Sequence, residues 1–153
     1  MPMRLEGSCR CGAVGFALDS HTPYPYQRCY CSICRKTAGG GGYAINIMGK
    51  AGTLEVKGRT KVYRAMRGGG ERHFCGTCAA ALWVWDKRWG EWIYPFASAI
   101  DTPLPFPRER QHVFLDSKPR WVKLPAGRGE RRFRQYPKEA IVDWHRKRGL
   151  LAP

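Results

Sequence analysis

A chain of 153 residues that is 43% hydrophobic and 12% aromatic has enough apolar surface for one folded domain and too much for a disordered segment. Its formal net charge of +15 favours acidic partners, whether nucleic acid or an anionic small molecule, and says nothing about fold. No run of about eighteen apolar residues occurs and residues 1–7 lack the apolar core of a signal peptide, so the sequence reads as a soluble, cytoplasmic protein with no membrane partner.

In chain order, residues 13–19 alternate, with Val14, Phe16 and Leu18 on one side, as a half-buried strand does. Pro23 and Pro25 then carry the chain as an extended loop into Cys29, Cys31 and Cys34. Residues 35–38 extend one helical turn that stops at Gly39, Gly40, Gly41 and Gly42. Three short β-rich segments, 43–48, 53–57 and 61–66, are separated by glycine-containing turns and read as an antiparallel meander. Glu71, Arg72, His73 and Phe74 lead into the Cys75-Gly76-Thr77-Cys78 turn. Residues 80–85 and 91–100 predict a hairpin whose Trp residues pack in the sheet rather than stack on a ligand. Beyond Asp101 the prolines favour a wrapping segment, with one more strand at 111–115. A final helix is predicted over 137–148, with Pro137 in the first turn, Gly149 at the stop, and Ile141, Trp144 and Arg148 on one face. The fold class is therefore mainly β with a short C-terminal helix: a β domain over 1–126 and a basic, partly helical extension over 127–153 packed on the same domain. Between 118 and 148, eleven basic residues face three acidic ones.

Seven cysteines fall into three short clusters, Cys9-x-Cys11, Cys29-x-Cys31-x-x-Cys34 and Cys75-x-x-Cys78. An odd count prevents complete pairing, and a reducing compartment disfavours disulfides, so metal ligation is the expected use. Seven divides most naturally as four plus three. Two knuckles close one tetrahedral zinc from distant parts of the chain, and three thiols remain, which is the number a catalytic zinc keeps. Spacing leaves alternatives: the triple cluster sharing a thiol with either pair, or a fourth ligand from His73, His112 or a carboxylate.

The pattern Gly7-x-Cys9-x-Cys11-Gly12-x-Val14-x-Phe16, then Cys29-x-Cys31-Ser32-x-Cys34-Arg35-Lys36-x-x-Gly39, then Arg72-x-Phe74-Cys75-x-x-Cys78, resembles the glutathione-dependent formaldehyde-activating enzyme family, also called the Gfa/CENP-V family. The resemblance implies an Mss4-like fold of antiparallel sheets cross-linked by zinc. It implies Cys9, Cys11, Cys75 and Cys78 as structural zinc ligands and Cys29, Cys31 and Cys34 as ligands of a catalytic zinc, two ions per chain. The implied activity is that of a carbon–sulfur lyase joining formaldehyde to the thiol of glutathione. Arg35, Lys36, Gly39 and Gly40 are candidate contacts for that anionic tripeptide. Two positions depart from the pattern: Tyr30 stands where His is common, and Ala79 stands where Gly is frequent, asking for a less special backbone angle. A second reading makes the chain a non-catalytic zinc module that binds nucleic acid or another polyanion through its basic tail.

Overall fold

The computed structural model describes residues 1–153, folded into three sheets and two short helices. The first sheet begins with β1 (Met3–Ser8) and β2 (Gly15–Ser20), antiparallel around the turn that holds Cys9 and Cys11. Phe16 and Leu18 on β2 are buried, as the alternation predicts, and they meet Leu5 of β1 in the main core. β6 (Glu55–Lys57) pairs along the free side of β2.

The second sheet runs β5 (Gly49–Lys50), β10 (Trp92–Pro95), β9 (Ala81–Trp85), β8 (Glu71–Cys75) and β7 (Thr60–Tyr63), all antiparallel. The β9–β10 hairpin is the one that the sequence predicts. A register shift opposite His73 and Phe74 leaves Leu82 as an extra residue on β9, which is why Leu82 and Trp83 both reach the core although they are adjacent.

The third sheet is ordered β12 (Glu130–Arg132), β11 (Arg110–Val113), β3 (Gln27–Cys29), β4 (Ala44–Ile45). Here the antiparallel expectation fails: β11 runs parallel to both β3 and β12. The long crossing from β3 to β11 allows a parallel pairing that a hairpin does not.

The expected meander over 43–66 is not formed. β6 pairs with β2 and β7 with β8, so the two strands belong to different sheets. Gly58 explains the split, since its φ is +90° and a Cβ there would stand 2.1 Å from the Ala13 carbonyl oxygen. Only glycine turns the chain this tightly against residue 13.

α1 (Ser32–Ala38) starts directly behind the three-cysteine run, with Cys31 as its N-cap and Gly39 closing it through an N–H to the Arg35 carbonyl. α2 (Ile141–Lys147) is shorter than the predicted 137–148. Glu139 is held outside it by Lys147 at 3.0 Å, Gln111 at 3.2 Å and Arg148 at 3.5 Å, and Ala140 is extended with ψ 159°. Pro137 therefore precedes the helix instead of opening it. Trp144 of α2 stacks on Tyr26 with centroids 3.7 Å apart, and Arg148 lies over its other face. No helix is long and apolar enough to cross a membrane.

His145 pins α2 to the loop before β3. Its Nδ1–H donates to the Ile141 carbonyl at 2.8 Å, and Nε2 accepts the Tyr24 N–H at 3.2 Å, which requires the neutral ring. Burial pushes its pKa below the ordinary 6.5. The folded ring stays neutral where the unfolded one takes a proton, so stability is present above the unfolded pKa and is lost as pH falls below it. The urea midpoint should drop between about pH 7.5 and about pH 5.5, and by less in His145→Gln.

Candidate metal centres

The structure groups the cysteines as four and three. The Sγ atoms of Cys9, Cys11, Cys75 and Cys78 all lie within 4.8 Å of one another. Two of the sulfur–sulfur distances, Cys9 to Cys11 at 3.7 Å and Cys11 to Cys75 at 3.8 Å, match the edge of about 3.8 Å expected for four thiolates about 2.3 Å from one zinc. Both turns curl backbone N–H groups onto sulfur: Val14 donates to Cys9 at 3.2 Å, and Thr77 to Cys75 at 3.4 Å. The N–H groups of Ala80 and Cys11 hold the Cys78 thiol down to about 6, while sharing with the neighbouring sulfurs pushes Cys11 up to about 11. The donor set fits a closed structural metal site.

Ala79 corrects an expectation. Its φ is +63°, so the left-handed turn after Cys78 is kept although the residue is not glycine. The N–H of Ala79 bonds to the Cys75 carbonyl at 2.9 Å, and Cys75 N–H bonds to the Ala80 carbonyl at 3.0 Å. The hairpin geometry that presents both sulfurs imposes the angle whatever side chain is present.

Cys29 ends β3, Cys31 caps α1 and Cys34 sits in its first turn, and their Sγ atoms also lie within 4.8 Å of one another. No histidine, carboxylate or further thiol joins the three. Of the alternatives the spacing leaves, His73 is stacked on Trp83 with Nδ1 on Thr60 at 2.7 Å, and His112 has both nitrogens bonded elsewhere. Hydrogen bonds from Cys29 and Cys34 hold Cys31 down to about 2, and Cys29 is pushed up by the same sharing. Three sulfurs packed this closely concentrate negative charge on one of them, and they fit a metal held by three protein ligands. The cluster has a small core of its own: Cys34 is buried with Ala44 and Phe96, and Cys29, Cys31, Ala81 and Val84 pack against them.

Sequence reasoning missed three features around this cluster. The first is Arg72 on β8, whose Nη2 reaches Cys34 Sγ at 3.7 Å while Nη1 donates to Thr37 Oγ1 at 3.3 Å. The Arg72-x-Phe74-Cys75 motif carried the signal, but nothing local to it points at Cys34. The second is a cleft of about 340 Å³ lined by Thr37, Arg72, Ala79, Ala81 and Phe96. None of the cysteines lines it, and Arg72 connects it to Cys34. A second cleft of about 510 Å³ continues past Thr37 and Ala38 to Cys9 and Arg10.

The third is a buried relay behind the cluster. Tyr30 is 1% exposed and turns its hydroxyl onto His112 Nδ1 at 2.8 Å. His112 Nε2 donates to Glu130 at 2.6 Å, and the other Glu130 oxygen accepts from Arg110 Nε at 2.8 Å. Burial keeps His112 below its ordinary pKa, so the neutral ring accepts from Tyr30 and donates to Glu130. Tyr30, the departure inside the motif, thus braces β3 from behind and does not face the sulfurs.

Of the expected substrate contacts, Arg35 and Lys36 line neither cleft. A helix turns 100° per residue, which places Thr37 and Ala38, three and four positions on, over Cys34 and swings Arg35 and Lys36 away. The Gly39 N–H is used to close α1; Gly40 is exposed with open space around it.

The family model described as glutathione-dependent formaldehyde-activating enzyme matches residues 4–117. A relative from Halomonas elongata, whose name provisionally assigns it as a glutathione-dependent formaldehyde-activating enzyme, is 57% identical over 97% of this chain and 98% of its own. The crystal structure of a Rhodobacter sphaeroides protein, 24% identical, covers 65% of this chain and 91% of its own with a TM-score of 0.53, a likeness of fold.

Two outcomes test this geometry. Ala79→Gly should stabilise the protein by on the order of 0.5 kcal/mol, because the left-handed penalty of about 1–2 kcal/mol outweighs the added chain entropy of about 0.4–1 kcal/mol. Its metal content should not change. Glu130→Ala should cost about 3 kcal/mol in chemical unfolding, since it leaves Arg110 and the buried His112 without their acceptor.

Proposed function

Because the chain belongs to the glutathione-dependent formaldehyde-activating enzyme family, we propose that it is a zinc-dependent carbon–sulfur lyase that adds the thiol of glutathione to formaldehyde, giving S-(hydroxymethyl)glutathione. The observation that carries the reading is the group of three Sγ atoms within 4.8 Å that no fourth ligand joins, placed beside a cleft. Cys9, Cys11, Cys75 and Cys78 are assigned to a structural zinc, and Cys29, Cys31 and Cys34 to a catalytic one. Zinc at the second site would supply a Lewis acid that lowers the pKa of a thiol and withdraws electrons from a carbonyl.

The chemistry is an addition in which nothing is oxidised. The S–C bond forms, the π pair of the carbonyl moves to oxygen, and the proton that leaves the thiol ends on that oxygen. Three thiolates around a divalent cation leave one negative charge, which repels an anionic substrate and weakens carbonyl activation. The Arg72 guanidinium beside Cys34 offsets that charge. Positioning the thiol is thus the larger part of what these residues do.

Arg35, Lys36, Gly39 and Gly40 are assigned to the outer edge of the site, where Lys36 and Gly40 are exposed at the end of α1 and meet a substrate carboxylate that projects past the cleft. Residues 1–126 are assigned to the catalytic β domain and 127–153 to an extension packed on it, which adds β12 to the third sheet. A cytoplasmic location suits a thiol-dependent reaction of this kind.

The test is metal content and rate together. The purified protein should hold about two zinc ions per chain, one lost quickly to a chelator and one retained. Thiohemiacetal formation from formaldehyde and glutathione should exceed the uncatalysed rate and fall to it in Cys31→Ser, whereas Cys75→Ser should fail to fold. A wild-type rate equal to background would refute the activity.

A further inference from the structure

The substrate reading above leaves open what in the cleft distinguishes one thiol from another, and Arg72 is placed to do so. Its side chain emerges from β8 into the cleft of about 340 Å³, within the roughly 300–1,000 Å³ range of small-molecule sites. The other walls are chiefly apolar, with Phe74, Ala79, Ala81 and Phe96 among them. Arg72 takes part in none of the ion pairs of the chain, unlike Arg110, Arg146 and Arg148. Two of its N–H groups are directed at Cys34 Sγ and Thr37 Oγ1, and a guanidinium has five. A cation fixed at one end by sulfur and hydroxyl, with donors to spare in a half-apolar cleft, is a carboxylate receptor.

We propose that Arg72 is the specificity-determining residue of the site: it binds a carboxylate of the incoming thiol in the cleft while it stays against Cys34, so the protein selects thiols that carry a carboxylate. The geometry gives one group two tasks. The contact to Cys34 sets where the guanidinium stands, and the free donors then set how far from the carboxylate the thiol must lie to reach the three sulfurs. Thr37 is a positioning residue for it. Its hydroxyl donates to the Ile33 carbonyl at 2.6 Å, which fixes the lone pair that Arg72 uses.

The inference rests on the proposed thiol chemistry, so the experiment reads binding and not turnover. Equilibrium binding of glutathione and of its diethyl ester, a thiol of similar shape without carboxylates, is measured by calorimetry on the metal-loaded protein. The wild type should bind glutathione at least about tenfold tighter than the ester, the scale of a charged hydrogen-bonded pair. Arg72→Gln should remove that preference by weakening glutathione alone, and Arg72→Lys, which keeps the charge without the fork, should retain part of it. Thr37→Val should reduce the preference by weakening glutathione more than the ester. A preference that survives in Arg72→Gln, an equal loss of both ligands in Arg72→Lys and Thr37→Val, or a wild type that binds both alike or neither would overturn the inference. A wild type that shows the preference but does not accelerate the addition would refute the enzymatic reading and leave Arg72 as a carboxylate-thiol receptor. An active enzyme that is indifferent to the ester would do the reverse.

Discussion

The fold depends first on the closure of two cysteine turns, since Cys11 and Cys75 stand 64 positions apart in sequence and 3.8 Å apart in space. That closure brings the first sheet against the second and encloses Leu5, Phe16, Leu18, Leu82 and Trp83 between them. A chain of this size with eighteen glycines and eleven prolines has little long secondary structure to organise it, and its longest strands are six residues. A cross-link that closes a loop of this length removes on the order of 4 kcal/mol of chain entropy from the unfolded state. The cysteine turns therefore do work that long helices do in other proteins.

Strand β8 carries that closure to the second cluster. It ends in Cys75 at one site and presents Arg72 to Cys34 at the other, so five residues set the relation between the two. The two clusters nevertheless have separate cores, one around Leu5 and Trp83 and one around Phe96 and Ala44. A change in the three-thiol group would disturb the smaller of the two and leave the larger core in place. The charges follow the same division. The four-thiol turns hold sulfur with backbone N–H groups, while the three-thiol group adds to one such bond, from Cys34 to Cys31, a guanidinium beside Cys34.

What could be read from the chain follows from how local each feature is. The cysteine grouping was legible because ligand spacing is a property of single turns, and the hairpin of Ala81–Trp85 and Trp92–Pro95 because its two strands adjoin. The segments from 53 to 66 were recognisable as strands but not assignable to sheets, because their partners, Gly15 to Ala17 and Arg72 to Cys75, lie elsewhere in the chain. Arg72 and Glu130 were hidden for a related reason: each acts through two partners, of which Cys34 and His112 lie across the fold, and one arginine or glutamate in a basic sequence carries no mark of it. Ala79 misled because composition at one position was taken to set its angle, when the turn around it does. Arg35 and Lys36 follow the third cysteine in sequence, and helical rotation leaves them outside both clefts, toward the outer edge of the site.

The relay from Tyr30 through His112 to Glu130 has a consequence for where this protein ends as a folding unit. The match to the family model ends at residue 117, before β12 supplies the carboxylate and pairs with β11, whereas the Halomonas elongata relative is alike over 97% of the chain. A chain cut there would leave the outer side of β11 as a bare sheet edge of unpaired N–H and C=O groups, a template for joining other molecules. It would also bury an imidazole with nothing to receive its proton. The stretch that the family model matches is therefore shorter than what must be made together, and aggregation would be the first sign of trimming one to the other.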